Sequence, residues 1–355
     1  MTSNHSLLLR RCVAAAATLG IAAAPLALNA ADTTTVGFLM SDYTTSARWQ
    51  FDRDFFIAAL KKVDPDVSVV VDDAKTDQTR QQTQAASLLT SGAKLLIDVP
   101  VDSTQAAAIV RAAHDNSPPV PVIAYDRLIN NSDVDSYVTF DPVAVGRQQA
   151  QYIVDHVKGG TIISIAGAQP DNNAIEFHRG AMEVLEPLVK SGRYKLPYDH
   201  YTPNWESNAA QAETASELNN LGNKIDAILV ANDGMAGGVV AALRAQHLDG
   251  KVVVTGQDAT VAGIQNILTG EQSMTIYKPI RKLAEAAATM ADAYLKGQKP
   301  KTSTTMNNGK TDVPTVLLPV VTVTKANIKS TVIADGFVTK EALCNGIPAA
   351  ACSGL

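Results

Sequence analysis

Val120-Pro121-Val122-Ile123-Ala124-Tyr125-Asp126-Arg127 is an apolar run, rich in β-branched residues, that ends at an acid–base pair. Such a run shows no alternation, so neither face of its strand is meant for water. That is the state of a strand inside a parallel sheet covered by helices on both sides. The same kind of run occurs upstream at Val36–Met40, Val67–Val71 and Leu95–Val99. Helical patterns separate them. Phe51, Phe55, Ala59 and Val63 repeat every fourth residue, and Ala85, Leu88 and Leu89 form a second stripe closed by Gly92. Ser103 reads as the N-cap of a third helix running to Asn116.

Further along, the rhythm restarts. Ile162–Ile165, Ile225–Val230 and Val252–Thr255 read as strands of a second sheet, with helices over 172–190, 206–221, 235–246 and 260–269. Met274–Tyr277 adds a strand, Pro279 opens a helix to Lys296, and Val316–Val323 is read as a final strand. Two βαβ series without a Gly-, Ser- or Pro-rich linker make an α/β chain of two lobes in close contact.

The N-terminal stretch has another character. Arg10 and Arg11 precede an uncharged, Ala-rich segment from Cys12 to Ala31, and Leu28-Asn29-Ala30-Ala31 suits signal peptidase. Residues 1–31 are therefore expected to be a cleaved export signal, leaving a soluble, exported protein. Their removal takes away two arginines and no acid, moving the formal charge from -5 to -7. An acidic chain without a basic, aromatic-interleaved run is a poor partner for nucleic acid. After processing, Cys344 and Cys352 remain, and in an oxidising compartment they either clip the tail or stay as two thiols.

Ligands of open parallel sheets bind beyond the carboxyl ends of the strands. The residues just after the strands here are Asp42, Arg48-Trp49, Asp126-Arg127, Asp171-Asn172-Asn173, Trp205, Asn232-Asp233, Asp258 and Lys278. Carboxylates, amides and cations can hold a hydroxyl from both sides, and an indole suits the apolar face of a sugar ring. Each also has a plain structural use: a Trp fills a core, and Asn232-Asp233-Gly234 caps a helix. No phosphate loop, dinucleotide fingerprint or nucleophile elbow is present. His114, His156, His178, His200 and His247 lack metal-ligand spacing. A carboxylate pair for glycoside hydrolysis is disfavoured because cations and amides accompany the acids and keep them ionised. A sugar-responsive transcription regulator would need a DNA-binding N-terminus where this chain has an export signal.

At these positions the sequence resembles the periplasmic sugar-binding proteins of ABC transporters, in the ribose-binding-like, type I group. The matching stretches are Arg48-Trp49-Gln50 with Asp52-Arg53-Asp54, Ala124-Tyr125-Asp126-Arg127-Leu128-Ile129-Asn130, and Asp171-Asn172-Asn173-Ala174. Asn232-Asp233, Ala236-Gly237-Gly238, Gly256-Gln257-Asp258-Ala259, Tyr277-Lys278-Pro279 and Asp335-Gly336-Phe337 complete the set. The resemblance implies two Rossmann-like lobes joined by a three-strand hinge: 33–140 plus 279–303, and 141–276 plus 306–340, with 341–355 as a tail. It places the crossings at Phe140-Asp141, Tyr277-Lys278 and 302–312. It implies a non-enzymatic, monomeric protein that binds a monosaccharide without cofactor or metal and hands it to a membrane permease; docking to a chemoreceptor is compatible with it. D-xylose is the ligand implied first, with ribose, arabinose and glucose as alternatives. The implied ligand residues are Arg48, Trp49, Asp126, Arg127, Asp171, Asn173, Trp205, Asn232, Asp258 and Lys278. Residues Met40 to Ser46 depart from the family pattern, which puts contacts at the sugar's rim in doubt.

Overall fold

A computed structural model describes residues 34–44, 46 and 48–355. The expected export signal lies outside the described residues. The chain begins with β1 (Thr35–Met40), α1 (Trp49–Val63), β2 (Ser68–Asp73), α2 (Gln78–Thr90), β3 (Leu95–Asp98), α3 (Ala107–His114), β4 (Val122–Tyr125) and β5 (Ser136–Phe140). It continues through α4 (Pro142–His156), β6 (Gly160–Ala166), α5 (Asn172–Lys190), β7 (Tyr194–Tyr201), α6 (Ser207–Asn220), β8 (Ala227–Val230), α7 (Asp233–Ala245), β9 (Val253–Val254), α8 (Val261–Thr269) and β10 (Thr275–Tyr277). The last elements are α9 (Ile280–Leu295), β11 (Thr304–Asn307), β12 (Asp312–Leu318), β13 (Val321–Val323) and α10 (Lys340–Cys344).

Two main sheets result. The first has the order β11-β12-β5-β4-β3-β1-β2, parallel except for β11, and the second β7-β6-β8-β9 is all parallel. In the first sheet α1 and α9 cover one face, through Phe56, Leu60, Leu283 and Ala287. Leu88, Leu89, Ile109 and Val110 of α2 and α3 cover the other. In the second, α4 and α5 pack on one face and α6 and α7 on the other. Helix α4 sits tightly on α5 because Gly146 of α4 and Gly180 of α5 lie at their contact; a Cβ on Gly146 would lie 1.7 Å from the Phe177 carbonyl oxygen. The caps are the expected kind: Asp77, Asp141, Asp171, Asn232 and Thr260 each accept a backbone N–H of the first turn.

The chain passes between the sheets after β5, after β10 and after β12. Two expectations change here. Val316–Val323 is not one strand: β12 extends the first sheet beside β5, and β13 pairs antiparallel with β10. The third crossing is therefore Pro319-Val320, not 302–312, and residues 304–318 belong with the first sheet, although 306–340 were expected in the second lobe. Pro319, which has no N–H to give a ladder, marks the break.

The stripe Phe51, Phe55, Ala59, Val63 is the wrong face of α1. The buried residues are Trp49, Asp52, Phe56 and Leu60, whereas Phe51 and Val63 are exposed. Ser103 does not cap α3, which starts at Ala107 without a side-chain cap. Strands β5, β7 and β11 and helix α4 were not anticipated. Among the described residues, no helix is long and apolar enough to cross a membrane, and no cluster of His, Cys, Asp and Glu could hold a metal ion. The tail carries a Cys344–Cys352 disulfide, one of the two states left open by the sequence.

Candidate sugar-binding cleft

Each expected site residue sits at or just beyond the carboxyl end of a strand. Arg48 and Trp49 open α1 after β1, Asp126 and Arg127 follow β4, and Asp171 and Asn173 start α5 after β6. Trp205 follows β7, Asn232 follows β8, Asp258 follows β9 and Lys278 follows β10. All ten line one cavity between the two sheets, of about 300 Å³ counting its mouth. Asp42 lies outside it, and Asp233 is buried behind it, bound to Thr260 and Gln272.

Three further residues line the cavity: Ser46, Phe177 and Gln257. Phe177 is one turn beyond Asn173 on the same face of α5, a spacing that could have revealed it. Gln257 stands inside a stretch that carries the family resemblance. Ser46 lies in the segment that departs from the family, so no signal pointed to it.

Arg48 organises the first wall. Its Nη2 donates to Asp126 Oδ2 at 2.6 Å, and its Nε lies 3.2 Å from Asp52 Oδ2. Tyr125 donates its hydroxyl to the other Asp52 oxygen at 2.6 Å. Burial acts against the Arg48 charge, but Asp126, Asp52 and Asp258 outweigh it and keep the guanidinium protonated. Asp126 has a left-handed backbone (φ 62°), rare for a residue with a side chain. Its carbonyl is fixed by three donors, the Tyr137 and Thr139 hydroxyls and the Asn173 amide. Burial pushes its carboxyl up, yet Arg48, Lys278 and Arg127 together bring it down to about 2. The side chain is a carboxylate.

The opposite wall meets the first directly. Arg127 Nε lies 2.7 Å from Asp171 Oδ2, off the line of a good hydrogen bond, while its Nη1 donates to the Pro100 carbonyl. Ser46 donates to Asp258 at 2.8 Å, and Asn173 Nδ2 donates to Asp126 Oδ1 at 3.0 Å. Burial raises the Asp171 carboxyl, with Arg127 opposing it, and lowers the Lys278 ammonium, with Asp126 opposing it. Asn232 serves both readings: its side chain caps α7 and lines the cavity.

The indoles lie on the two walls. Trp49 is part of the first core, and the guanidinium carbons of Arg48 and Arg127 stand 4.3 and 5.4 Å from its ring centroid. Trp205 lies against the backbone of Gly167, where a Cβ would come within 2.1 Å of the ring, and meets Phe177 edge-on. Both are nearly buried, so the core and wall roles coincide. The lining thus holds three cations and three carboxylates, Arg48, Arg127 and Lys278 against Asp126, Asp171 and Asp258. Arg48 Nη1, Asn173 Oδ1 and Gln257 Oε1 have no hydrogen-bond partner among the described residues. A charge-balanced wall with spare donors and acceptors suits a neutral polyol.

The family model of the periplasmic binding protein domain matches residues 36–299. The chain belongs to the periplasmic binding protein family. These are binding proteins, not enzymes. This binding protein is 42% identical to the D-xylose-binding periplasmic protein of Escherichia coli over 292 residues, 82% of this chain and 87% of the relative. It is 34% identical to the multiple sugar-binding periplasmic receptor ChvE of Rhizobium radiobacter, across 93% of this chain and 98% of that one. Among solved structures, it matches an ABC transporter solute-binding protein of Clostridium phytofermentans with bound β-D-glucose. The TM-score is 0.81 at 32% identity, covering 87% of this chain and all of that one.

Proposed function

We propose that this protein binds a monosaccharide, D-xylose first among the aldoses, in the cleft between its two lobes and delivers it to the permease of an ABC importer. The chain is exported to the periplasm, loses residues 1–31 and acts as a monomer. The observation that carries this is the set of buried polar atoms of Arg48, Asn173 and Gln257 that lack a hydrogen bond, on residues lining one charge-balanced cavity walled by Trp49 and Trp205. Leaving such atoms unpaired is costly, so a ligand with several hydroxyls is what the cavity favours. The lobes are hinged at Phe140-Asp141, Tyr277-Lys278 and Pro319-Val320, and closure is favoured because only the closed form reaches the ligand from both walls. The relatives named for D-xylose support that sugar as the first choice.

The test is a calorimetric titration of the mature protein with D-xylose, D-ribose, L-arabinose and D-glucose. Saturable binding with D-xylose tightest is expected. Tightest binding of another aldose replaces D-xylose by that sugar, and a flat response to all four removes the proposal.

A further inference from the structure

A second chamber, about 640 Å³ counting its mouth, adjoins the cleft and shares Arg127, Asp171 and Trp205 with it. Both sheets contribute to it: Ser41, Gln78 and Asp102 from the first, Ala168, Pro170 and Asn204 from the second. Its lining mixes apolar and polar surface, and two of the lining side chains carry a buried donor without a hydrogen bond. Gln78 is 9% exposed and uses its Oε1 to accept from the Asp102 N–H at 2.8 Å, leaving Nε2 unpaired. Trp205 is 7% exposed, and its Nε1 is likewise unpaired. Trp205 is held by a turn in which Asn204 and Trp205 both have positive φ, 51° and 58°. For a bulky residue that geometry is a genuine outlier and marks a position fixed for a purpose.

We infer that this chamber is a second subsite, taking a neutral sugar unit joined to the one in the cleft, so that the protein accepts a disaccharide as well as the monosaccharide. The inference rests on the sugar-binding reading above and extends it. Asn204 and the carboxylates offer acceptors to hydroxyls, and a turn of the Gln78 amide towards a bound sugar would bring its unused donor to a ring or hydroxyl oxygen. Asp42, Asp102 and Asp171 face Arg127 alone in this chamber, a negative balance that disfavours acidic or phosphorylated sugars. Trp205, common to both spaces, supplies one rigid surface for both rings.

Titration calorimetry with D-xylose and with xylobiose, its β-1,4-linked disaccharide, tests this on the mature chain and on Gln105→Trp. Gln105 lines the chamber, does not touch the cleft and is exposed, so the substitution fills the chamber from its outer side. The expected result is saturable binding of both sugars by the parent. Gln105→Trp should then weaken xylobiose by about tenfold or more and leave D-xylose within about twofold. Saturable D-xylose binding with no response to xylobiose overturns the second subsite and leaves the monosaccharide function standing. Equal weakening of both sugars in Gln105→Trp also overturns it. No binding of either sugar removes both proposals.

Discussion

Arg48 and Arg127 are both buried arginines in one cavity, but they carry different burdens. Arg48 balances Asp52 and Asp126 within its own lobe, so Arg48→Ala strands two buried carboxylates and should cost about 3–5 kcal/mol of stability, read by denaturant unfolding. Arg127 pairs across the cleft with Asp171. Arg127→Ala should therefore lose about 1–3 kcal/mol of sugar affinity by calorimetry, with a smaller stability change. One further buried carboxyl does not line the cleft. Asp98, at the end of β3, has neither oxygen paired, and burial pushes its carboxyl up to about 8. Between the ordinary carboxylate value and that pH, the folded chain keeps a proton that the unfolded chain has lost. This group's stabilisation is thus complete below the ordinary value and disappears as pH rises towards 8. Asp98→Asn should flatten the fall in Tm between about pH 5 and about pH 8 relative to the parent.

Among the elements, α1 shows how far a sequence pattern reaches. Phe56→Ala should cost about 3–5 kcal/mol, because Phe56 is fully buried and packs edge-on to Phe38 at 5.0 Å. Phe51→Ala should cost under about 1 kcal/mol, since Phe51 is 44% exposed. Thermal unfolding of the two variants separates the faces. Periodicity located the helix but not its buried side, because a four-residue repeat drifts around a 3.6-residue turn and the stripe it traced leaves the core. The continuous runs behaved better: β1, β3, β4, β6 and β8 fall within about two residues of their apolar stretches, where burial on both faces leaves no ambiguity. Strands β5 and β7 were illegible since Ser136-Tyr137-Val138-Thr139-Phe140 and Tyr194–Tyr201 are polar or aromatic mixtures whose ladders are set by their neighbours. The site was legible because strand ends are positions that topology fixes, whatever the exact boundaries. Ser46 was not, because its place in the cavity follows from a loop that only the folded chain defines.

At the scale of the whole molecule, the two lobes are tied at the mouth of the cleft as well as inside it. Ser103 Oγ accepts from the Asn172 N–H at 3.0 Å, the Ser103 N–H donates to the Pro170 carbonyl at 2.9 Å, and Asn130 donates to Asn172 at 3.2 Å. These bonds can exist only when the lobes are shut. Ser103→Ala should therefore speed sugar release several-fold in a stopped-flow experiment, the equivalent of about 0.5–1.5 kcal/mol, while association changes little. Small-angle scattering should show a smaller radius of gyration on adding sugar to the parent, and no change would argue against hinge closure. The return of β12 to the first sheet reaches back further still, to biosynthesis. With α9, β11 and β12 all encoded beyond residue 279, a growing polypeptide has no means of finishing its first lobe until the last fifth of its length has emerged, and its α1 flank stays bare until then. For the export proposed above, this order should delay folding and keep the chain threadable for a secretion channel.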